Sequence, residues 1–309
     1  MGQFTKFMNK FVTTSTNNPS INLALEEAFF KDNTADVIVF LWQNKDTIVI
    51  GNNQNSFLEC NIEACKKDNV KIVRRMTGGG AVFHDMGNLN FTFIYRPSQH
   101  EIGEFLDIII KSLSDLGISN IESQRNDLVI DGKKFSGHAY YREGDRFLFH
   151  GTLLINSNLK NLGKYLTPSI IKLQNKGIDS VRKRVVNLSE FVNVDIASMV
   201  EQIRMETKLA FPDIIEETYD SNFTCDLSKK YDDLKLLEAE NPDSVLKLDI
   251  KTNAGYFSLL ISTREDLIQK LEIYSDALAK LNYENFIDKY LNTKYDEILI
   301  REDFAKMFN

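Results

Sequence analysis

The most informative stretch of the chain reads Arg74-Arg75-Met76-Thr77-Gly78-Gly79-Gly80-Ala81-Val82-Phe83-His84-Asp85-Met86-Gly87-Asn88. Three successive glycines allow a sharp bend and let a ligand approach main-chain N–H groups that a Cβ would shield. The two arginines before the bend carry fixed positive charge suited to phosphate or carboxylate. The stretch therefore predicts a site for an anionic ligand, although a tight or bulged turn beside solvated arginines stays open as an alternative.

Two common phosphate-binding motifs do not fit this stretch. No Gly-Lys-Ser/Thr follows the glycines at the spacing of a P-loop, and no G-x-G-x-x-G of a dinucleotide-binding fold is present. The glycines and arginines thus indicate an anion or nucleotide without choosing a reaction.

Composition narrows the class of protein. The chain has 309 residues, of which 43% are hydrophobic, and this suits one large domain or a main domain with a smaller appendage. No apolar run approaches the roughly 20 residues of a membrane span, and no apolar segment typical of a signal peptide follows Lys6 and Lys10. Three cysteines, Cys60, Cys65 and Cys225, form an odd set that favours a reducing cytoplasm over a disulfide framework.

Charge argues against nucleic acid as a partner, because the formal net charge is −7. One local run is basic and comprises Lys172, Lys176, Arg182, Lys183 and Arg184. This run is either a solvated helix face or a docking patch for a phosphate or an acidic partner.

Local patterns predict an α+β chain. A helix should begin at Asn18-Pro19, a second helix should stop at Gly117, and Asp131-Gly132 is typical of a two-residue hairpin turn. Buried strands are predicted at Ile38–Trp42, Thr47–Ile50, Val70–Val73, Phe91–Tyr95 and Phe147–Ile155.

The composition of the chain changes near residue 221, where polar and charged residues become frequent, and we therefore predict two domains. The main domain covers residues 1–228, a polar and charged connector covers 229–243, and a small α+β domain covers 244–309. Strands of the small domain are expected at Val245–Ile250, Tyr256–Ser262 and Gln269–Ile273, with helices after them.

Further motifs follow the glycine stretch in order: Arg125-Asn126-Asp127-Leu128, Lys133-Lys134-Phe135-Ser136-Gly137, His150-Gly151-Thr152-Leu153-Leu154 and Lys176-Gly177-Ile178-Asp179-Ser180-Val181-Arg182-Lys183-Arg184-Val185. Together they resemble the lipoate–protein ligase family, nearly collinearly over residues 15–195. In the small domain the resemblance rests mainly on Tyr274-Ser275-Asp276-Ala277-Leu278. It implies the biotinyl/lipoyl transferase fold, which is similar to class II synthetases: a large catalytic domain of mixed sheets flanked by helices, and a small C-terminal α+β accessory domain.

The resemblance also implies a reaction and its partners. Free lipoate, or octanoate, would react with ATP in the presence of Mg²⁺ to form an acyl-adenylate, and a lysine of a carrier would then take the acyl group. The expected carriers are apo lipoyl domains of 2-oxoacid dehydrogenase acyltransferase subunits or the glycine-cleavage H protein. Neither a nucleic acid nor a membrane is expected as a partner, and the expected location is the cytoplasm.

Lys134 is the predicted catalytic residue. A carboxylate and a polyphosphate repel each other, so their reaction needs a positioned cation, and a lysine just after a tight hairpin has a stiff backbone. In the family, the lysine before the apolar-Ser-Gly triplet contacts both groups, and this register selects Lys134. Lys133 should point the other way, because adjacent strand residues face opposite sides.

The remaining site residues are implied by the resemblance. Arg75 and the main chain of residues 80–83 match nucleotide contacts, and Arg74 with residues 78–80 borders the acyl pocket. Residues 176–184 match a segment that covers the adenylate. The predicted lipoate- and adenylate-binding residues are Arg74, Arg75, Thr77, Gly78, Gly79, Gly80, Ala81, Val82, Phe83, His84, Asn126, Asp127, His150, Gly151, Thr152, Gly177, Ser180, Val181 and Arg182.

Metal and acid–base roles are limited. Asp127 is a candidate magnesium ligand, because Mg²⁺ commonly takes one or two carboxylates together with phosphate oxygens. The histidines do not occur at zinc-binding spacing. His84 and Asp85 are expected to point apart, which leaves His84 as a wall of the pocket, and His150 should support the site by hydrogen bonding.

Two alternatives stay open. The first is another enzyme of the same scaffold. Octanoyl and lipoyl transferases use a cysteine nucleophile, yet no cysteine occurs between Lys66 and Thr224 of this chain. Biotin–protein ligase has its glycine-loop residues in a different order. A non-catalytic protein that binds lipoate or the carrier is the other alternative. It is favoured by Asn52, where relatives often carry a basic residue, and by the missing Trp-x-Asn-Phe-Gly-like strand in the small domain.

Overall fold

The computed structural model describes residues 8–54, 56–124, 126–166, 185–220, 226–232, 245–264, 267–279 and 281–308. Within these ranges the helices are Pro19–Lys31 (α1), Ser56–Glu59 (α2), Ile62–Asp68 (α3), Ile102–Asp115 (α4), Leu159–Tyr165 (α5), Ile196–Ala210 (α6), Ser228–Asp232 (α7), Glu284–Tyr290 (α8) and Glu297–Lys306 (α9), with a short 3₁₀ turn at Leu188–Glu190. The strands are Lys10–Thr14 (β1), Ile38–Trp42 (β2), Thr47–Ile50 (β3), Lys71–Arg74 (β4), Val82–His84 (β5), Asn88–Tyr95 (β6), Ile121–Gln124 (β7), Asp127–Ile130 (β8), Lys133–Glu143 (β9), Arg146–Leu154 (β10), Ile215–Tyr219 (β11), Val245–Thr252 (β12), Gly255–Arg264 (β13) and Leu267–Ser275 (β14).

Local sequence signals determine several of these boundaries. Asn18 is the N-cap of α1, where its side chain accepts a hydrogen bond from the Ser20 amide, and Pro19 occupies the first turn, where a missing N–H is tolerated. Asp131 and Gly132 both have positive φ, 50° and 72°, as a two-residue type I′ turn between β8 and β9 requires. Helix α4 ends at Asp115, two residues before Gly117. These short-range predictions are confirmed.

The described strands form three sheets. The largest has the order β11-β1-β2-β6-β10-β9-β8-β7, in which β11, β1 and β2 pair in parallel and the other pairs are antiparallel. A second sheet has the order β4-β3-β5, and a third has the order β12-β13-β14. Mixed sheets flanked by helices confirm the predicted α+β class.

The central strand β6 positions the site. All eight of its residues are buried. Phe91 and Phe93 face one hydrophobic core together with α4, whereas Asn90 and Thr92 face the opposite side, toward α1 and Trp42. Polar residues at buried positions of a central strand need partners, and of these two Asn90 lines the cavity described below.

The C-terminal region has its own hydrophobic core, formed by strands β12–β14 and helices α8 and α9. It touches the main region through backbone hydrogen bonds. The Ser275 amide donates to the Asn53 carbonyl, and the Gly79 amide donates to the Ala277 carbonyl at 3.2 Å. The small predicted α+β unit therefore lies directly against the glycine stretch.

The predicted connector over 229–243 begins inside a short helix. Residues 228–232 form α7, which packs on α1, and Tyr231 is buried, with its hydroxyl 2.6 Å from Glu27 Oε2. Lys230 and Asp232 also bind α1, through Glu27 and Ser20, and the composition of the segment does not reveal these contacts. Residues 233–244 lie outside the described part of the chain, and the predicted domain boundaries stay predictions.

Candidate active site

A cavity of about 590 Å³ lies between the large sheet, residues 77–81 (the glycine loop) and residues 276–279 (the C-terminal segment). Many of the predicted site residues line it: Arg75, Gly79, Gly80, Ala81, Val82, His84, Asn126, Asp127, Lys134, His150, Gly151 and Thr152. The motifs that lie apart in the sequence therefore meet around one space.

Other predicted residues lie elsewhere. Arg74, Thr77 and Gly78 stand behind the cavity wall, and the Phe83 ring packs away from it on Tyr165, with ring centroids 5.3 Å apart. Gly177, Ser180, Val181 and Arg182 lie outside the described residues, as does the basic run of residues 172–184.

Sequence reasoning missed part of the wall. The additional lining residues are Leu23, Trp42, Val49, Asn90, Gly137, His138, Ala139, Tyr140, Ala254, Gly255, Tyr256, Asp276, Ala277, Leu278, Ala279 and Leu281. The motif Ser275-Asp276-Ala277-Leu278 was noticed as part of the resemblance, and it was the available signal for the C-terminal segment. Asn90, a polar residue in an otherwise apolar strand, was a second signal.

Lys134 lies at the solvent-facing end of the cavity. Its Nζ is 2.8 Å from Asp127 Oδ1, and both side chains are a little over one third exposed. Lys133 is exposed and does not line the cavity. The backbone at Lys134 is held on both sides, since its carbonyl accepts a hydrogen bond from the Val186 amide and its strand pairs with β8. The ammonium group is thus carried by a stiff backbone at the cavity mouth.

Gly137 makes room for this lysine. A Cβ built on Gly137 would lie 2.6 Å from Lys134 Nζ and 2.8 Å from Lys134 Cε. These distances are far below ordinary van der Waals contact. The Lys134 side chain therefore folds over Gly137, and any larger residue at position 137 would displace the amine.

The buried Arg75 guanidinium holds the glycine loop in shape. Its Nε donates to Thr77 Oγ1 at 2.9 Å, and its NH2 donates to the carbonyls of Gly78 and Gly80 at 2.7 and 2.9 Å. Burial lowers the pKa of Arg75 to about 10, so the group stays positive at neutral pH.

Arg74 also binds backbone. Its NH1 donates to the carbonyls of Gly51, Asn52 and Gln54. The arginine pair was predicted to present positive charge to an anion, but in the structure the guanidinium hydrogens mostly bind carbonyl oxygens. The reason is local, because two bends, at residues 51–54 and 78–80, leave carbonyls that need donors.

The C-terminal segment closes against the glycine loop. A Cβ on Gly78 would lie 2.2 Å from the Ala277 carbonyl oxygen and 2.7 Å from Leu278 Cα. Because both atoms belong to the backbone, this approach requires glycine. The loop glycines therefore serve contact with the C-terminal region as well as with a ligand.

A buried hydrogen-bond network supports the opposite wall. Glu26, 1% exposed, accepts at Oε1 from His150 Nδ1 at 2.8 Å and from the Thr92 hydroxyl at 2.6 Å. His150 Nε2 is 2.9 Å from Thr77 Oγ1, and Trp42 Nε1 donates to Thr92 Oγ1. The network fixes the orientation of the His150 and Trp42 rings, which agrees with the supporting role predicted for His150.

His84 and Asp85 point apart, as predicted. Asp85 accepts from the backbone amides of Gly87 and Asn158, away from the cavity. His84 is 3% exposed, and burial, helped by the positive charge of Arg75, lowers its pKa to about 3. His84 is thus neutral at physiological pH and is unsuited to act as a general base there.

Among the described residues, Asp127 is the predicted metal ligand, and it stands at the cavity. Within the described ranges, no three His, Cys, Asp or Glu side chains cluster closely enough to hold an ion by themselves. Asp127, accessible and beside Lys134, offers a single carboxylate. That donor set fits a magnesium ion whose other ligands come from phosphate and water.

In the described residues, no helix combines the length and apolar character needed to cross a membrane.

Comparison with known proteins identifies the family. Residues 18–208 match the family model described as the lipoyl protein ligase A/B catalytic domain. The chain belongs to this family. Lipoate-protein ligase A of Psychrobacter cryohalolentis is 35% identical to it, over 96% of this chain and 92% of the relative. The protein of the same name from Bdellovibrio bacteriovorus is 38% identical, over 92% of this chain and 88% of the relative.

Solved structures agree with this assignment. P. falciparum LipL1 in complex with lipoate superposes with a TM-score of 0.73 at 28% identity, covering 97% of this chain and 95% of that one. A bipartite lipoate protein ligase of Thermoplasma acidophilum, described with its lipoyl domain, gives 0.61 at 25% identity, covering 72% and 90%. A lipoate-protein ligase A bound with ATP shares the fold, with a TM-score of 0.58 at 23% identity, covering 72% and 92%. The predicted fold is thereby confirmed.

Proposed function

We propose that this member of the lipoyl protein ligase family is an ATP-dependent lipoate–protein ligase. The carboxylate of free lipoate, or octanoate, attacks the α-phosphorus of ATP, and diphosphate leaves. The amine of a carrier lysine then attacks the acyl carbon of the adenylate, an amide forms, and AMP leaves with the electron pair of the broken mixed-anhydride bond. The relatives' names, and the lipoate and ATP in their structures, support this proposal.

The observation that carries the proposal is the position of Lys134. Its partly exposed ammonium group lines a cavity whose wall also holds apolar side chains, and beside this group an acyl carboxylate would meet a nucleotide. Two anions approach each other only if their charge is compensated, and a preorganised ammonium does this without reorganisation. Asp127 holds that ammonium in place until the substrate anions compete for it.

Part of the cavity wall suits an alkyl chain. Leu23, Trp42 and Val49 line it and are buried. Burying an eight-carbon chain at about 0.8 kcal/mol per methylene contributes roughly 5 kcal/mol to binding. Chain length is therefore recognised mainly through burial.

Mg²⁺ would be held by Asp127 together with phosphate oxygens of ATP, and it would neutralise phosphate charge. The carrier lysine would enter at the same open end, where Lys134 and Asp127 are partly exposed.

We propose that residues 176–184 cover the adenylate and exclude water. We also propose that the basic run over 172–184 attracts carriers that are acidic around their target lysine, which are lipoyl domains of 2-oxoacid dehydrogenase acyltransferases or the glycine-cleavage H protein.

The two cysteines within the described ranges do not fit a cysteine-dependent transferase. Cys60 and Cys65 are free and buried, do not line the cavity, and burial raises the pKa of both thiols, that of Cys65 to about 11. A nucleophilic cysteine needs the opposite environment. Free thiols also agree with the cytoplasmic location that we propose.

Intact-mass analysis tests the proposal. Incubation of the protein with ATP, Mg²⁺, lipoate and a panel of apo lipoyl domains should add one lipoyl group to a carrier, and a carrier with its target lysine replaced by arginine should gain none. Absence of modification on every carrier, with lipoate still bound in a calorimetric titration, would support the non-catalytic binder instead.

A further inference from the structure

A buried carboxylate, that of Glu26 on α1, lies behind His150, which lines the cavity. The Glu26 side chain is 1% exposed and does not line the cavity itself. Burying a charge costs free energy unless the charge is paired, and an apolar residue at this position would avoid that cost. The hydrogen bonds that end on this carboxylate show what it does.

One series of hydrogen bonds runs from Trp42 to Glu26. Trp42 Nε1 can only donate, and it donates to Thr92 Oγ1 at 3.1 Å. A hydroxyl carries a single hydrogen, so that of Thr92 is left for Glu26 Oε1, which lies 2.6 Å away. Glu26 Oε1 is therefore an acceptor, and it holds Trp42 in place through Thr92.

A second series reaches the same oxygen from the glycine loop. Arg75 Nε can only donate, and it donates to Thr77 Oγ1 at 2.9 Å. The Thr77 hydroxyl then donates to His150 Nε2, at 2.9 Å, which is nearer than the Gly78 carbonyl at 3.3 Å. His150 Nδ1 lies 2.8 Å from Glu26 Oε1, and because this oxygen accepts, Nδ1 carries the ring hydrogen.

Both series thus begin at a group that can only donate, and both end at Glu26 Oε1. All members are satisfied only if this shared end accepts from two sides. Trp42 and Arg75 line the cavity, and the Arg75 guanidinium also binds the carbonyls of Gly78 and Gly80. Glu26 therefore fixes two parts of the cavity wall at once, although its own side chain lies outside the wall.

We propose that Glu26 is a positioning residue that, as the shared hydrogen-bond acceptor, holds Trp42 and the glycine loop in the arrangement that binds lipoate. This inference rests on the proposed ligase function and adds to its site a residue that does not touch the substrate. Without the acceptor, two buried donors, the Thr92 hydroxyl and His150 Nδ1–H, would lose their partner. Both side chains would then reorient, together with the parts of the wall that they hold.

Two substitutions at position 26 separate the acceptor from the volume of the side chain. Glu26→Met has a similar length but offers only a weak sulfur acceptor, whereas Glu26→Gln keeps an oxygen that accepts from Thr92 and His150. Lipoate-dependent exchange of diphosphate into ATP gives KM and the maximal rate without a carrier. Glu27→Met is the matched control, because Glu27 is the next residue of α1, binds α7 and does not line the cavity.

Glu26→Met should raise KM for lipoate about tenfold and change the maximal rate by less than about twofold, because Lys134 belongs to neither series. Glu26→Gln should keep KM within about twofold of the wild type, and Glu27→Met should lower the melting temperature without changing KM. Adding Thr77→Val to Glu26→Met should not raise KM further, since both changes act on one series. An unchanged KM in Glu26→Met, or full additivity in the double variant, would overturn the inference.

The tautomer of His150 is a readout that does not depend on activity. In ¹⁵N spectra of the wild type, with the His150 signals assigned by their loss in His150→Gln, Nδ1 should carry a hydrogen and Nε2 should carry none. A hydrogen on Nε2 would overturn the inference. Failure of the wild type to exchange diphosphate would instead contradict the proposed function. In that case, or if melting shows that Glu26→Met does not fold, the His150 spectrum still decides whether Glu26 is the shared acceptor.

Discussion

Replacing Gly137 with alanine should separate the position of the Lys134 amine from the stability of the fold. The new Cβ would lie 2.6 Å from Nζ and 2.8 Å from Cε, whereas ordinary contact begins near 3.4 Å, so the amine must move by about 1 Å. A displacement of that size at a reacting centre costs on the order of 100-fold in rate. The atoms that move form the end of a flexible side chain, so we expect the free energy of unfolding to change by less than about 0.5 kcal/mol.

The assay is steady-state lipoylation together with a denaturant melt of each variant. Gly103→Ala is the matched control, because a Cβ at that position would meet no described atom within 4 Å and the residue stands in α4, away from the cavity. The double variant Gly137→Ala/Lys134→Ala should be no slower than Lys134→Ala alone, since both changes act on one group. A wild-type rate in Gly137→Ala, or full additivity in the double variant, would refute this reasoning.

Two further predictions concern the surroundings of the site. Gly78→Ala would place a Cβ 2.2 Å from the Ala277 oxygen and push the C-terminal segment away from the glycine loop. We expect KM for lipoate or ATP to rise about tenfold, which corresponds to the loss of one hydrogen bond. Unchanged KM values would contradict this prediction. Burial opposes ionisation of Glu27, but hydrogen bonds led by that from Lys230 lower its pKa from 4.5 to about 2. The ionised group therefore stabilises the fold above pH 4.5, and this contribution is lost as the pH falls toward 2. Glu27→Gln should cost about 1–2 kcal/mol at pH 7, and the difference from wild type should narrow in melts from about pH 5 to about pH 3 rather than stay constant.

The sequence predicted those parts of the fold that depend on neighbouring residues. The Asp131-Gly132 turn and the Asn18-Pro19 helix start each need only two adjacent residues of the right conformational preference. The parallel pairing of β1 with β11 joins residues 10–14 to 215–219, and no local pattern specifies such a partner. Helix α7 was not predicted for a similar reason, because Tyr231 is buried by a contact with α1, which is distant in the sequence.

The candidate site was predictable to the extent that its residues stand in motifs. Lys134, Asp127 and the glycine loop were found in this way. The carboxylate of Glu26 was not, because a buried acid on α1 looks like any other helix acid until His150 is seen 2.8 Å away. The sequence also did not predict that the Arg75 guanidinium binds the glycine loop, because its partners are backbone carbonyls, and every residue has one.

The most direct test of the account is the rate of acyl-adenylate formation by Lys134→Ala, measured without a carrier from lipoate-dependent exchange of diphosphate into ATP. Lys133→Ala is the matched control, because Lys133 is adjacent in sequence, exposed and outside the cavity. We expect the Lys134 variant to lose several orders of magnitude in rate with an unchanged melt, and the Lys133 variant to exchange almost normally. Near-normal exchange by a folded Lys134→Ala protein would contradict the central claim.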